Sequence, residues 1–134
     1  MKILIVDDEV VSRSKLQKIM SNFGHCEAVE SGPAALDAFK NAWAHWTPFD
    51  LITLDVLMPG MDGMETLLEI RRMESENGVA EKNRAKVLMV TMQSSRSTVV
   101  TCIQGGCDDY IVKPLNLQLV SQKILELGFK ISFP

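Results

Sequence analysis

The sequence predicts an α/β fold, a single-domain, doubly wound (βα)5 parallel sheet with helices on both faces. Two observations carry this. Short apolar runs alternate with longer segments of helical period, the pattern that parallel strands and their crossover helices produce. The chain also has the length of one ordinary domain: with 134 residues, 46% of them hydrophobic, it can build a core without disulfide or metal staples.

Residues 2–6 form the first strand, whose run of Ile3, Leu4, Ile5 and Val6 stops at two adjacent aspartates. Residues 12–23 place Leu16, Ile19, Met20 and Phe23 on one helical stripe that ends at Gly24. A short second strand follows around EAVE. The segment SGPAALDAFKNAWAHW opens with Ser31 or Gly32 as cap and Pro33 in the first turn, and it spaces Leu36, Phe39 and Trp43 by three and four. It is an amphipathic helix, with Trp43 and Trp46 read as core and edge packing. FDLITLD is the third strand, METLLEIRRM the third helix and KVLMVT the fourth strand. The charged stretch MESENGVAEKNRAK between them predicts a solvated helix end and loop. A helix from about Ser95 to Gln104, the strand DYIV and the helix LQLVSQKILEL complete the set. The tail FKISFP alternates apolar and polar residues and reads either as a docking strand or as the stump of a linker.

Composition excludes several function classes. A net charge of −3 and a pI near 5.4 supply no basic field for a phosphate backbone, so direct nucleic-acid binding is not expected. Cys26, Cys102 and Cys107 form an odd set with no CxxC and no histidine pair at zinc spacing, so they read as reduced, mostly buried thiols. The start MKILIVDDEV has too few apolar residues for a signal segment or a membrane span. Together these place the chain in the cytoplasm, away from membranes.

In an open doubly wound sheet, ligands bind outside the carboxyl ends of the strands. Four strand ends carry polar residues here: Asp7 and Asp8 after the first, Asp55 after the third, Thr91 after the fourth and Lys113 after the fifth. Adjacent carboxylates repel, and partial burial adds a desolvation cost, so the acidic pair calls for a cation. Hard oxygen donors beside open water positions suit Mg2+. Asp55 is then the natural nucleophile toward phosphorus, Thr91 a hydrogen-bond donor to a phosphoryl oxygen and Lys113 a point charge for another. In MPGMDG, Gly60 and Gly63 supply turn dihedrals and Asp62 an N-cap.

LIVDDE, LITLDVLMPGMDGME, VLMVTM and YIVKPL, in that order, resemble the receiver domain of two-component response regulators. The likeness covers residues 1–128 and leaves 129–134 as a short tail. It implies a flavodoxin- and CheY-like sheet of strand order 2-1-3-4-5. It implies that Asp7, Asp8, Asp55 and the Leu57 backbone carbonyl hold Mg2+, and that Asp55 is phosphorylated. Thr91 and Tyr110 match the family's switch pair, and Lys113 its lysine, which precedes Pro114 across a cis peptide bond. By the same likeness, the phosphodonor is a histidine kinase or a phosphotransfer protein. A downstream effector protein reads the face made by the fourth helix, fifth strand and fifth helix.

The chain departs from the family pattern at Met92, which follows the switch threonine where receivers usually carry a small residue. This predicts narrowed access to Asp55. Leu57 and Gln93, two beyond Asp55 and Thr91, flank the place where a hydrolytic water must sit, and an apolar Leu57 predicts a long-lived phosphorylated state. Two rival functions remain. One is an aspartate-nucleophile phosphatase, which commonly has a second acid where this chain has Leu57. The other is a pseudo-receiver that binds partners without turning over, although such modules usually lose part of the five-residue set. His25 and His45 are isolated, and the methionines mostly fill core stripes. Both a stand-alone receiver and a fragment of a longer protein fit the sequence.

Overall fold

The computed structural model describes residues 1–92 and 96–131. Gln93, Ser95 as the start of the fourth helix, and residues 132–134 of the tail lie outside the described residues. The elements are β1 (Lys2–Val6), α1 (Val10–Met20), β2 (His25–Val29), α2 (Gly32–Ala44), β3 (Leu51–Asp55), α3 (Gly63–Glu76), a 3-10 turn (Glu81–Asn83), β4 (Lys86–Thr91), α4 (Arg96–Gln104), β5 (Asp109–Val112) and α5 (Leu117–Glu126). The five strands are parallel in the order β2-β1-β3-β4-β5, so the expected fold class and strand order are those observed.

Strand alternation divides the core into two layers. Leu4, Val6, Ile52, Leu54, Val87 and Met89 face α2, α3 and α4, where Phe39, Leu67, Ile70 and Cys102 meet them. Ile3, Ile5, Leu51, Leu88, Val90 and Ile111 face α1 and α5 and pack on Leu16, Met20, Val120 and Ile124. Because side chains alternate with period two, the last residues of the strands inherit these faces. Asp7, Asp55 and Lys113 continue the α1/α5 side, whereas Thr91 and Tyr110 continue the side covered by α4.

The helix starts follow from local chemistry. The Ala34 N–H donates to Ser31 Oγ at 3.2 Å, the Glu65 N–H to Asp62 Oδ1 at 2.9 Å and the Leu119 N–H to Asn116 Oδ1 at 2.8 Å, each relieving an orphan donor of a first turn. Gly63 does not supply the expected turn dihedral: it is the first residue of α3 and lacks a positive φ, unlike Gly60 at 73°, and it is side-chain-free because a Cβ there would overlap the Asp55 carbonyl.

Several expectations need correction. The second strand starts at His25, before EAVE, and α1 ends at Met20, short of Phe23. Trp46 is not on the second helix: α2 stops at Ala44, and Trp46 lies beyond it with φ of 60° and is 91% exposed. It is therefore no packing residue, whereas Trp43 packs tilted against Phe39 with ring centroids 4.6 Å apart. The charged stretch after Met73 is not wholly solvated either. Glu74 is 1% exposed and accepts from Arg71 Nη1 at 2.7 Å and from the Ala85 N–H at 2.8 Å. Arg71 also donates to the Gly106 and Ala85 carbonyls and to Asp108, which ties α3 to the entries of β4 and β5. At the far end, the Phe129 N–H reaches the Ile124 carbonyl at 3.3 Å, and Phe129 and Ile131 lie half-buried against the α1/α5 layer. Among the described residues, no helix is long and apolar enough to cross a membrane.

Candidate functional site

The ends of β1, β3 and β5 bring three of the sequence-predicted residues into contact. Lys113 Nζ lies 3.2 Å from Asp55 Oδ2 and 3.5 Å from Asp7 Oδ2. One carboxylate oxygen from each of Asp7, Asp8 and Asp55 lies within 4.8 Å of the other two. Asp7 and Asp55 are buried and Asp8 is exposed, so the cluster opens outward on one side. Asp55 also accepts from the Leu57 N–H at 3.1 Å, which fixes the turn leaving β3. The Lys113–Pro114 peptide is cis.

Asp7 is held more firmly than strand position alone provides. Ser12 Oγ donates to Asp7 Oδ2 at 2.6 Å, the Glu9 N–H to Oδ1 at 2.9 Å, and Arg13 Nη1 to the Asp7 carbonyl at 2.9 Å. Sequence reasoning missed Ser12 and Arg13. The signal that would have found them is a hydroxyl and a guanidinium in the first turn of the helix that follows an acidic strand end.

Burial dominates the electrostatics of Asp55 and raises its pKa above the ordinary carboxylate value, with Lys113 pulling it back and Asp7 pushing it further up. Burial likewise works against the charge on Lys113, but Asp55 and Asp7 outweigh it and raise the lysine pKa. A cation brought to the open side would lower the cost of three clustered negative charges. Hard carboxylate oxygens beside an open side suit Mg2+, which needs only one or two of them as direct ligands and keeps several waters. The thiols contribute nothing here: burial raises all three, Cys107 to about 12.

Beside the acids lies a cavity of about 580 Å³ between α1 and the β5–α5 connection, lined by Val11, Leu16 and Ile19 on one wall and by Lys113 and Leu115 on another. Leu57 and Met92, 61% and 69% exposed, line the same cavity. Thr91 and Tyr110 are set apart from this cavity on the opposite face of the sheet. Thr91 pairs with Val112 and Tyr110 with Met89, which makes them diagonal neighbours on the α4 side. Tyr110 is half-buried against that layer, with Lys123 Nζ 5.4 Å from its ring centroid.

Comparison with known proteins gives consistent matches. The family model described as "Response regulator receiver domain" matches residues 3–125. Chemotaxis protein CheY of Bacillus subtilis (strain 168) is 32% identical over 125 residues, covering 92% of this chain and 93% of that protein. Sensor histidine kinase GacS of Pseudomonas protegens is 32% identical over 126 residues, but the match spans only 13% of the kinase. Among solved structures, the CheX-CheY-BeF3-Mg2+ complex from Borrelia burgdorferi matches with a TM-score of 0.81 at 30% identity, covering 97% of this chain and 90% of the matched one.

Proposed function

The chain belongs to the response regulator receiver domain family of two-component signalling, and we propose that within it this protein is a phosphoacceptor switch whose phosphorylated residue is Asp55. The observation that carries the reading is the convergence of three carboxylates within 4.8 Å on a lysine 3.2 Å from Asp55. Asp7, Asp8, Asp55 and the Leu57 carbonyl would hold Mg2+, which when bound would supply positive charge for the phosphoryl oxygens.

An Asp55 carboxylate oxygen forms the new bond to phosphorus while the bond from phosphorus to the donor breaks, the P–N bond of a phosphohistidine or the P–O bond of a small acyl phosphate. Lys113 pairs with a phosphoryl oxygen and releases part of its hold on Asp55. The donor is a histidine kinase or a phosphotransfer protein, and the site of action is the cytoplasm. That a similar protein has been solved as a complex with BeF3 and Mg2+ supports the reading that this chain takes a metal and a phosphoryl group.

The product adds about 1.5 to 2 negative charges at the rim. In this reading Thr91, at the end of β4, moves toward the added oxygens to donate to one of them, and Tyr110 takes up the space it leaves on the α4 side. The α4, β5 and α5 surface then changes for a downstream effector protein, as a shift between two pre-existing states. Intact mass after incubation with Mg2+ and acetyl phosphate tests this. One added phosphoryl group, lost with a chelator and in Asp55→Asn, is expected; no addition to a protein that still binds Mg2+ would favour a pseudo-receiver instead.

A further inference from the structure

Resting on the reading that the acidic cluster binds a divalent cation, we propose that Ser12 is a positioning residue that sets the cation affinity by fixing the rotation of the Asp7 carboxylate. Asp7 is 1% exposed, and Ser12 Oγ lies 2.6 Å from its Oδ2 while the Glu9 N–H holds Oδ1 at 2.9 Å. An ionised carboxylate offers about four lone-pair sites, so these two donors leave the remaining sites for Asp7's neighbours and for a cation.

The competitor for those sites is Lys113, whose ammonium already lies 3.5 Å from the same Oδ2. Without the hydroxyl, the Glu9 N–H on Oδ1 would be left to resist a turn of the carboxylate toward the lysine and away from Asp8. A hydroxyl prevents this with a neutral donor, so the negative charge that a cation needs is preserved; a second ammonium at the same place would cancel it. Ser12 is also well supported, because Arg13 beside it ties the first turn of α1 to the Asp7 carbonyl at 2.9 Å.

The test is calorimetric titration of Mg2+ into the full chain and into Ser12→Ala and Ser12→Thr, with urea unfolding of each in chelator. Removing a group that orients a metal ligand weakens metal affinity by about 10–100-fold, and Ser12→Ala is expected to fall in that range, together with a lower metal-free unfolding midpoint because a buried carboxylate loses a donor. Ser12→Thr, which keeps the hydroxyl, is expected to retain the affinity. Unchanged affinity in Ser12→Ala overturns the proposal, as does equal weakening by Ala and Thr. A loss of metal-free stability without a loss of affinity also overturns it, by making Ser12 purely structural. Failure of the unaltered protein to bind Mg2+ overturns the cluster reading and this proposal with it. Phosphorylation and Mg2+ binding that are both intact in Ser12→Ala overturn the role of Ser12 alone.

Discussion

Replacing Asp55 by Asn should stabilise the metal-free protein. At an effective dielectric near 20, two unit charges at 4.8 Å, the outer limit of the carboxylate separations here, repel by about 3.5 kcal/mol. The attraction of Lys113 for Asp55 across 3.2 Å is about 5 kcal/mol on the same scale. Asp55 faces two such repulsions, the one from exposed Asp8 weakened by solvent, so the charge terms nearly cancel. What remains is the burial of an ionised carboxylate, which costs several kcal/mol, against about 1–3 kcal/mol for the neutral amide that replaces it, so the variant should gain on the order of 1–2 kcal/mol.

The sign agrees with the raised pKa of Asp55, which means that the folded protein holds this proton more tightly than the unfolded chain does. The contribution of Asp55 to stability is therefore full at acid pH and is lost as pH rises through its raised pKa. The two proteins should converge in acid and separate as pH climbs through the carboxylate range, with the Asn variant ahead at neutral pH. Urea unfolding in chelator across that range measures the gap, and saturating Mg2+ should narrow or reverse it, because only the unaltered site keeps all its ligands. A metal-free Asp55→Asn protein less stable than the unaltered one would refute the reasoning.

Other predictions concern single contacts. Arg71→Met strands Glu74, 1% exposed, and should cost about 3–5 kcal/mol in urea unfolding, with much of it recovered when Glu74→Met is added. Thr53 Oγ1 is buried without a hydrogen-bond partner among the described residues, so Thr53→Val should gain about 1 kcal/mol in the same assay. Met92→Ala should speed phosphorylation by small donors several-fold, and an unchanged rate would show that Met92 does not limit access. The phosphorylated protein should decay slowly because Leu57 offers no hydrogen bond to an attacking water; Leu57→Asn should shorten that lifetime, as followed by intact mass over time.

The strands were legible because a buried parallel strand is a continuous apolar run, and ILIV, LITL and VLMV admit little else. The polar residues that end those runs pointed to the rim for the same reason: Asp7, Asp55 and Lys113 interrupt apolar patterns where the fold binds ligands. Sequence failed where the cause lies far along the chain or outside any period. Glu74 looks like a surface acid until Arg71 and Asp108 close around it, and Asp108 stands 37 residues beyond Arg71. β2 is an edge strand, its His25 and Glu27 exposed, so its start carries no apolar signal. Trp46 continues the helical spacing of Leu36, Phe39 and Trp43, yet the backbone turns left-handed there and carries it into solvent. Ser12 and Arg13 left only a weak signal, a hydroxyl and a guanidinium in the first turn after an acidic strand end, because their contact with Asp7 depends on the angle at which α1 leaves β1.

The central claim is that Asp55 carries the phosphoryl group. Its most direct test is borohydride reduction after treatment with Mg2+ and acetyl phosphate, followed by peptide mass analysis, since reduction converts an aspartyl phosphate to homoserine and marks the residue. The account predicts conversion at Asp55, abolished by chelator. A mark on another residue, or a stable phosphoryl group on a serine, threonine or histidine with Asp55 intact, would contradict it.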